Sequence, residues 1–166
     1  MNYKLKDFTL LIVIFALVIA FTVAMQLVYG EGSFEFGMRM FMGAFFAIFG
    51  GFKLLNLRNF AMAYREYDLL AMRSKFYSYL YPFLEVGLAA LYFANYGGLY
   101  RDVFTLVLML FSALGVYLKV RKKEKIQCAC LGMVFVLPMT WVTLIEDLLM
   151  AAEAGIMIWL AINGLF

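Results

Sequence analysis

Histidine is absent from this sequence of 166 residues, and cysteine and proline occur only twice each. Without histidine there can be no Ser-His-Asp triad and no zinc site that relies on imidazole. Two cysteines one residue apart are too few for the disulfide framework of a small secreted domain. Charge is scarce too: Asp, Glu, Lys and Arg make up 15% of the chain, against about 25% in ordinary soluble domains. Apolar residues account for 66%, and the mean hydropathy is +0.90. This balance excludes a soluble globular domain, a disordered chain and a nucleic-acid binder. It predicts an all-α integral membrane protein whose first partner is the lipid bilayer.

Runs with little or no charge predict one transmembrane domain, a compact bundle of four to five transmembrane helices. The spans fall at about 8–29, 36–55, 76–96, 103–120 and 140–164. Lys4 and Lys6 precede the first run, as in a signal peptide. Its uncharged length, and the Gly30-Glu31-Gly32 that follows in place of a small-residue cleavage site, predict a retained helix instead. Lys53, Arg58, Arg65, Arg73 and Lys75 lie at or between spans two and three, and Lys119, Arg121, Lys122, Lys123 and Lys125 follow span four. Only Arg39 and Arg101 fall on the opposite side. The positive-inside rule then predicts a multi-pass protein with its N-terminus in the cytoplasm and its C-terminus outside; a bacterial inner (plasma) membrane is the expected location.

Between spans two and three, Phe60, Met62, Ala63, Tyr67, Leu70 and Ala71 form an apolar stripe among Arg58, Arg65, Glu66, Asp68 and Arg73. The pattern predicts an amphipathic helix on the inner membrane surface or, equally, a connector packed on the bundle. Gly43, Ala44, Ala47, Gly50 and Gly51 give span two a small-residue face suited to close helix packing within the chain, with a homo-oligomer seam as its second use. Tyr77, Tyr79, Tyr81, Tyr92, Tyr96 and Tyr100 cluster towards the ends of span three, where an interfacial aromatic belt is expected.

From Cys128 onward the chain is apolar for longer than one bilayer crossing needs at about 1.5 Å per residue. Pro138 interrupts it and Thr140 can cap a new helix, so 128–139 is expected to form a short re-entrant or interfacial Cys-x-Cys segment. In extended backbone Cys128 and Cys130 point to one side and can meet one soft ion or one partner thiol. A thiolate pair suits Cu(I) or Hg(II), or cycles between dithiol and disulfide, and the nearby basic residues favour thiolate. No organic cofactor is expected.

A second constellation consists of ionisable residues within spans: Lys53, Glu85, Glu146, Asp147 and Glu153. On insertion scales Asp or Lys at a helix centre costs about 2.5–3.5 kcal/mol, so such groups point inward and find partners. Lys53 is expected to pair with Glu85 or Glu146, either fixing helix register or leaving a surplus carboxylate to titrate. Glu146, Met150, Glu153 and Met157 share one face of the last helix, a stripe that reads either as core packing or as a path for a soft cation.

Several ordered elements resemble the MauE branch of the MauE/DoxX family of redox-associated membrane proteins. They are Phe52-Lys53-Leu54-Leu55, Phe60, Tyr67-Asp68-Leu69-Leu70-Ala71, Tyr81-Pro82-Phe83-Leu84-Glu85, Cys128-Ala129-Cys130-Leu131-Gly132, Pro138-Met139 and Ile145-Glu146. The resemblance runs from about 41 to 157. It implies a helical bundle with a cysteine pair at the membrane edge, working beside a thioredoxin-like protein, as in maturation of methylamine dehydrogenase. It also marks Tyr67, Asp68, Pro82, Gly132 and Pro138 as supporting or structural positions. Glu146 stands near where methylamine-type members carry Arg-Asn, and the phrase from Gln127 to Gly132 resembles a sub-branch associated with heavy-metal-binding domains.

The resulting expectation is an inner-membrane protein, non-enzymatic or weakly redox-active, whose Cys128/Cys130 pair handles copper or mercury. Lys53, Tyr67, Asp68, Glu85, Glu146 and Glu153 would form a supporting polar cluster, and a heavy-metal-associated-domain protein would be a fitting partner. The alternatives are a thiol-disulfide relay through the same cysteines and a structural subunit of a membrane complex.

Overall fold

The structure is a computed structural model, and it describes residues 9–29, 32–122, 127–128, 137–138 and 141–164. Six helices run in order: α1 (Thr9–Tyr29), α2 (Phe34–Leu55), α3 (Leu57–Tyr64), α4 (Lys75–Phe93), α5 (Gly98–Arg121) and α6 (Trp141–Ile162). Between α5 and α6, β1 (Gln127–Cys128) pairs antiparallel with β2 (Leu137–Pro138), with Cys128 opposite Leu137 and Gln127 opposite Pro138. The two ends of the predicted Cys-x-Cys segment therefore meet; residues 129–136 and 139–140 lie outside the described residues.

Local chemistry sets the helix ends. Ser33 caps α2 by accepting the Phe36 N–H at 3.2 Å, and Ser74 caps α4 by accepting the Tyr77 N–H at 3.2 Å. Glu35 in the first turn of α2, and Lys119 and Arg121 in the last turn of α5, carry the charges that the helix dipole favours. By length and composition α1 (from Leu11), α2 and α5 can cross a membrane. In α4 and α6 the apolar run is interrupted by groups the bundle encloses, among them Glu85 and Glu146. This is a multi-pass membrane protein of helical architecture.

The helices pack chiefly as α1 on α2, α2 on α4 and α5 on α6. On the small face of α2, Gly43 and Gly50 serve internal packing, whereas a methyl at Gly51 would meet nothing within 4 Å. A methyl group at Gly43 would come within 2.7 Å of the Phe93 ring, and one at Gly50 within 3.1 Å of Glu85 Cβ. Such close approach supplies the dispersion contacts that hold helices together in lipid. Phe45 and Phe49 stack at 4.3 Å, with Phe15 of α1 tilted against Phe45 and edge-on to Phe49.

One open expectation narrows here and another needs correction. The stripe at 57–75 yields only the short helix α3, followed by turns at 65–73 outside the spans. Phe60, Ala63, Tyr67 and Ala71 are buried against the bundle, which fits the second of the two forms expected, a connector packed on the bundle, while Met62, Leu70 and Met72 stay exposed. Its seat is cut into α5: a methyl at Gly115 would fall 2.7 Å from the Tyr67 carbonyl oxygen. The tyrosine belt is also overdrawn. Tyr96 and Tyr100 are exposed, whereas Tyr81 and Tyr92 are buried inside the bundle. Tyr92 donates to Thr105 at 3.1 Å and lies under the Arg101 guanidinium, which forms a buried two-point pair with Asp102.

Candidate functional site

Lys53, in the last turn of α2, reaches across to Glu85 in α4 and forms a buried ion pair, with the two residues only 7% and 2% exposed. Of the two carboxylates expected to partner Lys53, it is Glu85 that does so. The ammonium also lies 5.1 Å from the Tyr81 ring centre and 5.7 Å from that of Phe60, so aromatic faces share its charge. Ion pairing and these rings offset the desolvation that would otherwise exclude an ammonium from such a place.

Around this pair the connector contributes tyrosines. Tyr64 of α3 packs 4.6 Å from Tyr81 and 5.1 Å from Phe60, and Tyr67 stands edge-on to Tyr64 at 5.4 Å. Opposite them, Ser112 of α5 donates to Asp147 of α6 at 3.0 Å. Lys53, Tyr64, Tyr81, Ser112, Thr143 and Asp147 line a cavity of about 20 Å³, room for a single water with polar partners on several sides. Cation, phenol, hydroxyl and carboxylate thus surround one small polar void. Such an arrangement can hold a water and relay or store a proton.

Asp68, fully buried in the connector, accepts the N–H groups of Leu70 at 3.0 Å and Ala71 at 2.7 Å and so closes the turn after α3. Burial pushes its carboxyl above the usual carboxylate range, against the opposing pull of those two N–H groups. Burial, reinforced by Tyr81 and Asp68, holds the Tyr64 phenol well above its ordinary value, so it remains a neutral hydroxyl.

The other predicted residues are spread around this cluster. Pro82 is buried in α4 beside Tyr81, and Pro138 lies in β2. Glu146 is 6% exposed and its Oε1 has no hydrogen-bond partner among the described residues. Glu153 is half-buried, with an unpartnered Oε2 in the same sense, and Met150 and Met157 of that stripe are fully buried. The backbone of Cys128 lies in β1, which borders α3, the helix that supplies Phe60 and Tyr64 to the cluster. Cys130 and Gly132 lie outside the described residues. Among the described residues no group of three or more Cys, Asp or Glu is placed to hold a metal ion.

Tyr64, Ser112 and Thr143 belong to the cluster without having been singled out in the sequence. Ser112 and Thr143 could have been found as polar residues in otherwise apolar runs, which lipid-facing positions rarely tolerate. Tyr64 had no such signal, because a tyrosine in a connector looks interfacial.

No curated protein and no solved structure matches the chain. One family model, described as Methylamine utilisation protein MauE, matches residues 33–160. That stretch covers most of the chain and includes Lys53, Glu85, the cysteine strand and Glu146, so the chain belongs to the MauE family.

Proposed function

We propose that this protein is a thiol-disulfide exchange partner of a thioredoxin-like protein, with Cys128 and Cys130 as its reactive pair. The observation that carries the reading is the Cys-x-Cys element within a MauE-family match that also takes in the buried cluster. Exchange needs only two sulfurs and a partner. One thiolate attacks the partner disulfide, forming a mixed disulfide and releasing a partner thiolate. The second cysteine then attacks the bridged sulfur, leaving a Cys128–Cys130 disulfide and a dithiol partner. The reverse sequence oxidises a dithiol partner. In this reading α4 and α6 cross the bilayer with α1, α2 and α5 as one domain, in a bacterial inner membrane with the N-terminus in the cytoplasm. The clustering of Lys and Arg then puts the cysteines at the cytoplasmic edge. The Lys53–Glu85 pair and Asp68 act as the rigid frame behind them.

A second reading, soft-metal handling, is favoured by the ligand type. Two thiolates two residues apart, in a chain without histidine, suit the low coordination numbers of Cu(I) or Hg(II). Purified protein in nanodiscs, equilibrated with reduced and oxidised thioredoxin in varied ratio, separates the two. Exchange predicts loss of both thiols together along a two-electron curve, and a mixed disulfide trapped by a single Cys128→Ser or Cys130→Ser variant. Thiols that ignore thioredoxin but bind one equivalent of Hg(II) or Cu(I), with loss of binding in either variant, would overturn exchange in favour of metal handling. Thiols inert to both would leave a structural subunit.

A further inference from the structure

The two ends of the bundle treat their cations differently. At one end Arg39 and Arg101 are buried, and acids of this chain answer them, Glu35 at 3.5 Å and Asp102 at 2.8 Å. At the other end Arg58, Arg65, Arg73, Lys75, Arg121 and Lys122 are exposed, and none forms an ion pair among the described residues. Glu66 is the only exposed acid described there. Apolar groups share this surface. Leu55 and Phe76 are 75% and 74% exposed, and Met62, Leu70 and Met72 also face outward. Arg58, Met62 and Arg65 follow one another at spacings of four and three, so they share the face of α3 opposite the buried Phe60, Ala63 and Tyr64. Arg65 Nε donates to the Ala71 carbonyl oxygen at 3.3 Å, which ties that guanidinium to the connector turn.

The position of this surface decides what meets it. Tyr67 of the connector seats on Gly115, and about 9 Å of α5 follows before its end at Arg121. The connector thus lies against the flank of the bundle and not beneath it, level with the last turns of a helix that can cross a membrane. A flank at that level adjoins the boundary between acyl chains and headgroups. Methionine and phenylalanine side chains match the acyl side of that boundary. Long basic side chains reach from it to the phosphates, and arginine forks suit phosphate oxygens. A zwitterionic lipid would leave the excess of positive charge unanswered. A soluble acidic protein would answer it but would approach the bundle from its end, away from the outward Met62 and Phe76. We infer that the outer face of the connector and the start of α4 bind the headgroups of anionic phospholipid. The inference is independent of the chemistry of the cysteines.

Full-length protein in dodecylmaltoside micelles, titrated with phosphatidylglycerol or with phosphatidylcholine of the same acyl chains and read by native mass spectrometry, tests this. The expected result is saturable retention of phosphatidylglycerol at concentrations where phosphatidylcholine is not retained. One basic residue near an anionic surface is worth about fivefold in affinity. Arg58→Gln/Arg73→Gln/Lys75→Gln changes three exposed side chains that make no hydrogen bond among the described residues, so it should fold as wild type and weaken retention about tenfold or more. Lys4→Gln/Lys6→Gln, which lowers the net charge elsewhere in the sequence, should leave retention unchanged. Equal retention of the two lipids by wild type would overturn the site. So would an undiminished preference in the triple variant, or the same loss in the Lys4→Gln/Lys6→Gln control. Absence of any lipid preference, together with poly-glutamate binding that the triple variant abolishes, would overturn it in favour of an acidic protein partner.

Discussion

Lys53 and Glu85 offer the sharpest energetic prediction, because their pairing is buried on both sides. Replacing Lys53 with Met leaves a carboxylate enclosed by α2 and α4 with no cation in contact. Replacing Glu85 with Leu leaves the ammonium against two rings at 5.1 and 5.7 Å, with the Asp147 carboxylate as the remaining acid on its small cavity. Removing one partner of a buried pair costs about 3–5 kcal/mol, whereas replacing both with apolar groups is often near neutral. The ring contacts remain in Glu85→Leu and are worth about 2 kcal/mol when desolvated, which places that variant at the lower end of the range. The double variant Lys53→Met/Glu85→Leu should then lie within about 1–2 kcal/mol of wild type, giving a coupling energy of several kcal/mol. Glu85→Gln, which keeps an acceptor oxygen for the ammonium, should fall between wild type and Glu85→Leu. Unfolding in mixed SDS micelles, followed by the fluorescence of Trp141 and Trp159, reads all these variants. Additive single effects, or singles costing under about 1 kcal/mol, would mean that the pair is solvated and would refute the reasoning.

Three further outcomes follow from the connector and its seat. Asp68→Ala loses the acceptor of two N–H groups and should cost about 1–3 kcal/mol, while Asp68→Asn keeps an acceptor oxygen and should not. Because burial raises the Asp68 carboxyl, the folded state holds its proton longer than the unfolded chain, so this group's contribution falls as pH rises above the ordinary carboxylate range. Thermal melts should therefore show Asp68→Asn gaining on wild type between pH 4 and pH 8, and an equal loss for Asn and Ala would contradict the turn geometry. Gly115→Ala drives a methyl into the Tyr67 carbonyl and should cost about 1–3 kcal/mol, against little for Gly87→Ala, which meets nothing within 4 Å. Tyr81→Phe keeps the ring beside Lys53 and should be mild, whereas Tyr81→Leu should cost more by about 1–2 kcal/mol in the same unfolding assay.

Much of the helix plan was legible because lipid imposes length and apolarity on each crossing. The predicted runs at about 36–55 and 76–96 appear as Phe34–Leu55 and Lys75–Phe93, and the run at 103–120 starts a turn earlier, at Gly98, just after a positive-φ glycine at 97. The inward placement of Lys53, Glu85 and Glu146 could also be read in advance, since their insertion cost leaves no other position. Which carboxylate Lys53 would choose could not. Periodicity carries no information about how α2 and α4 approach, and that depends on the small residues Gly43 and Gly50 meeting α4. The connector was left open between two forms for a related reason. An apolar stripe looks the same whether lipid or protein covers it, and the notch at Gly115 that admits Tyr67 is tertiary. Tyr81 and Tyr92 were assigned to the interface because tyrosine is usual there, yet each found a buried polar role, beside Lys53 and with Thr105.

The proposed exchange depends on Cys128 and Cys130 forming a reactive pair at the cytoplasmic edge of the membrane. Labelling intact cells with a membrane-impermeant maleimide, before and after permeabilisation and with or without DTT, tests it most directly. No labelling from outside and two labelled thiols after permeabilisation are expected, the two lost together when the cells are treated with a thiol oxidant and restored by DTT. Labelling from outside would contradict the orientation, and thiols that neither oxidise nor label after permeabilisation would contradict the exchange chemistry.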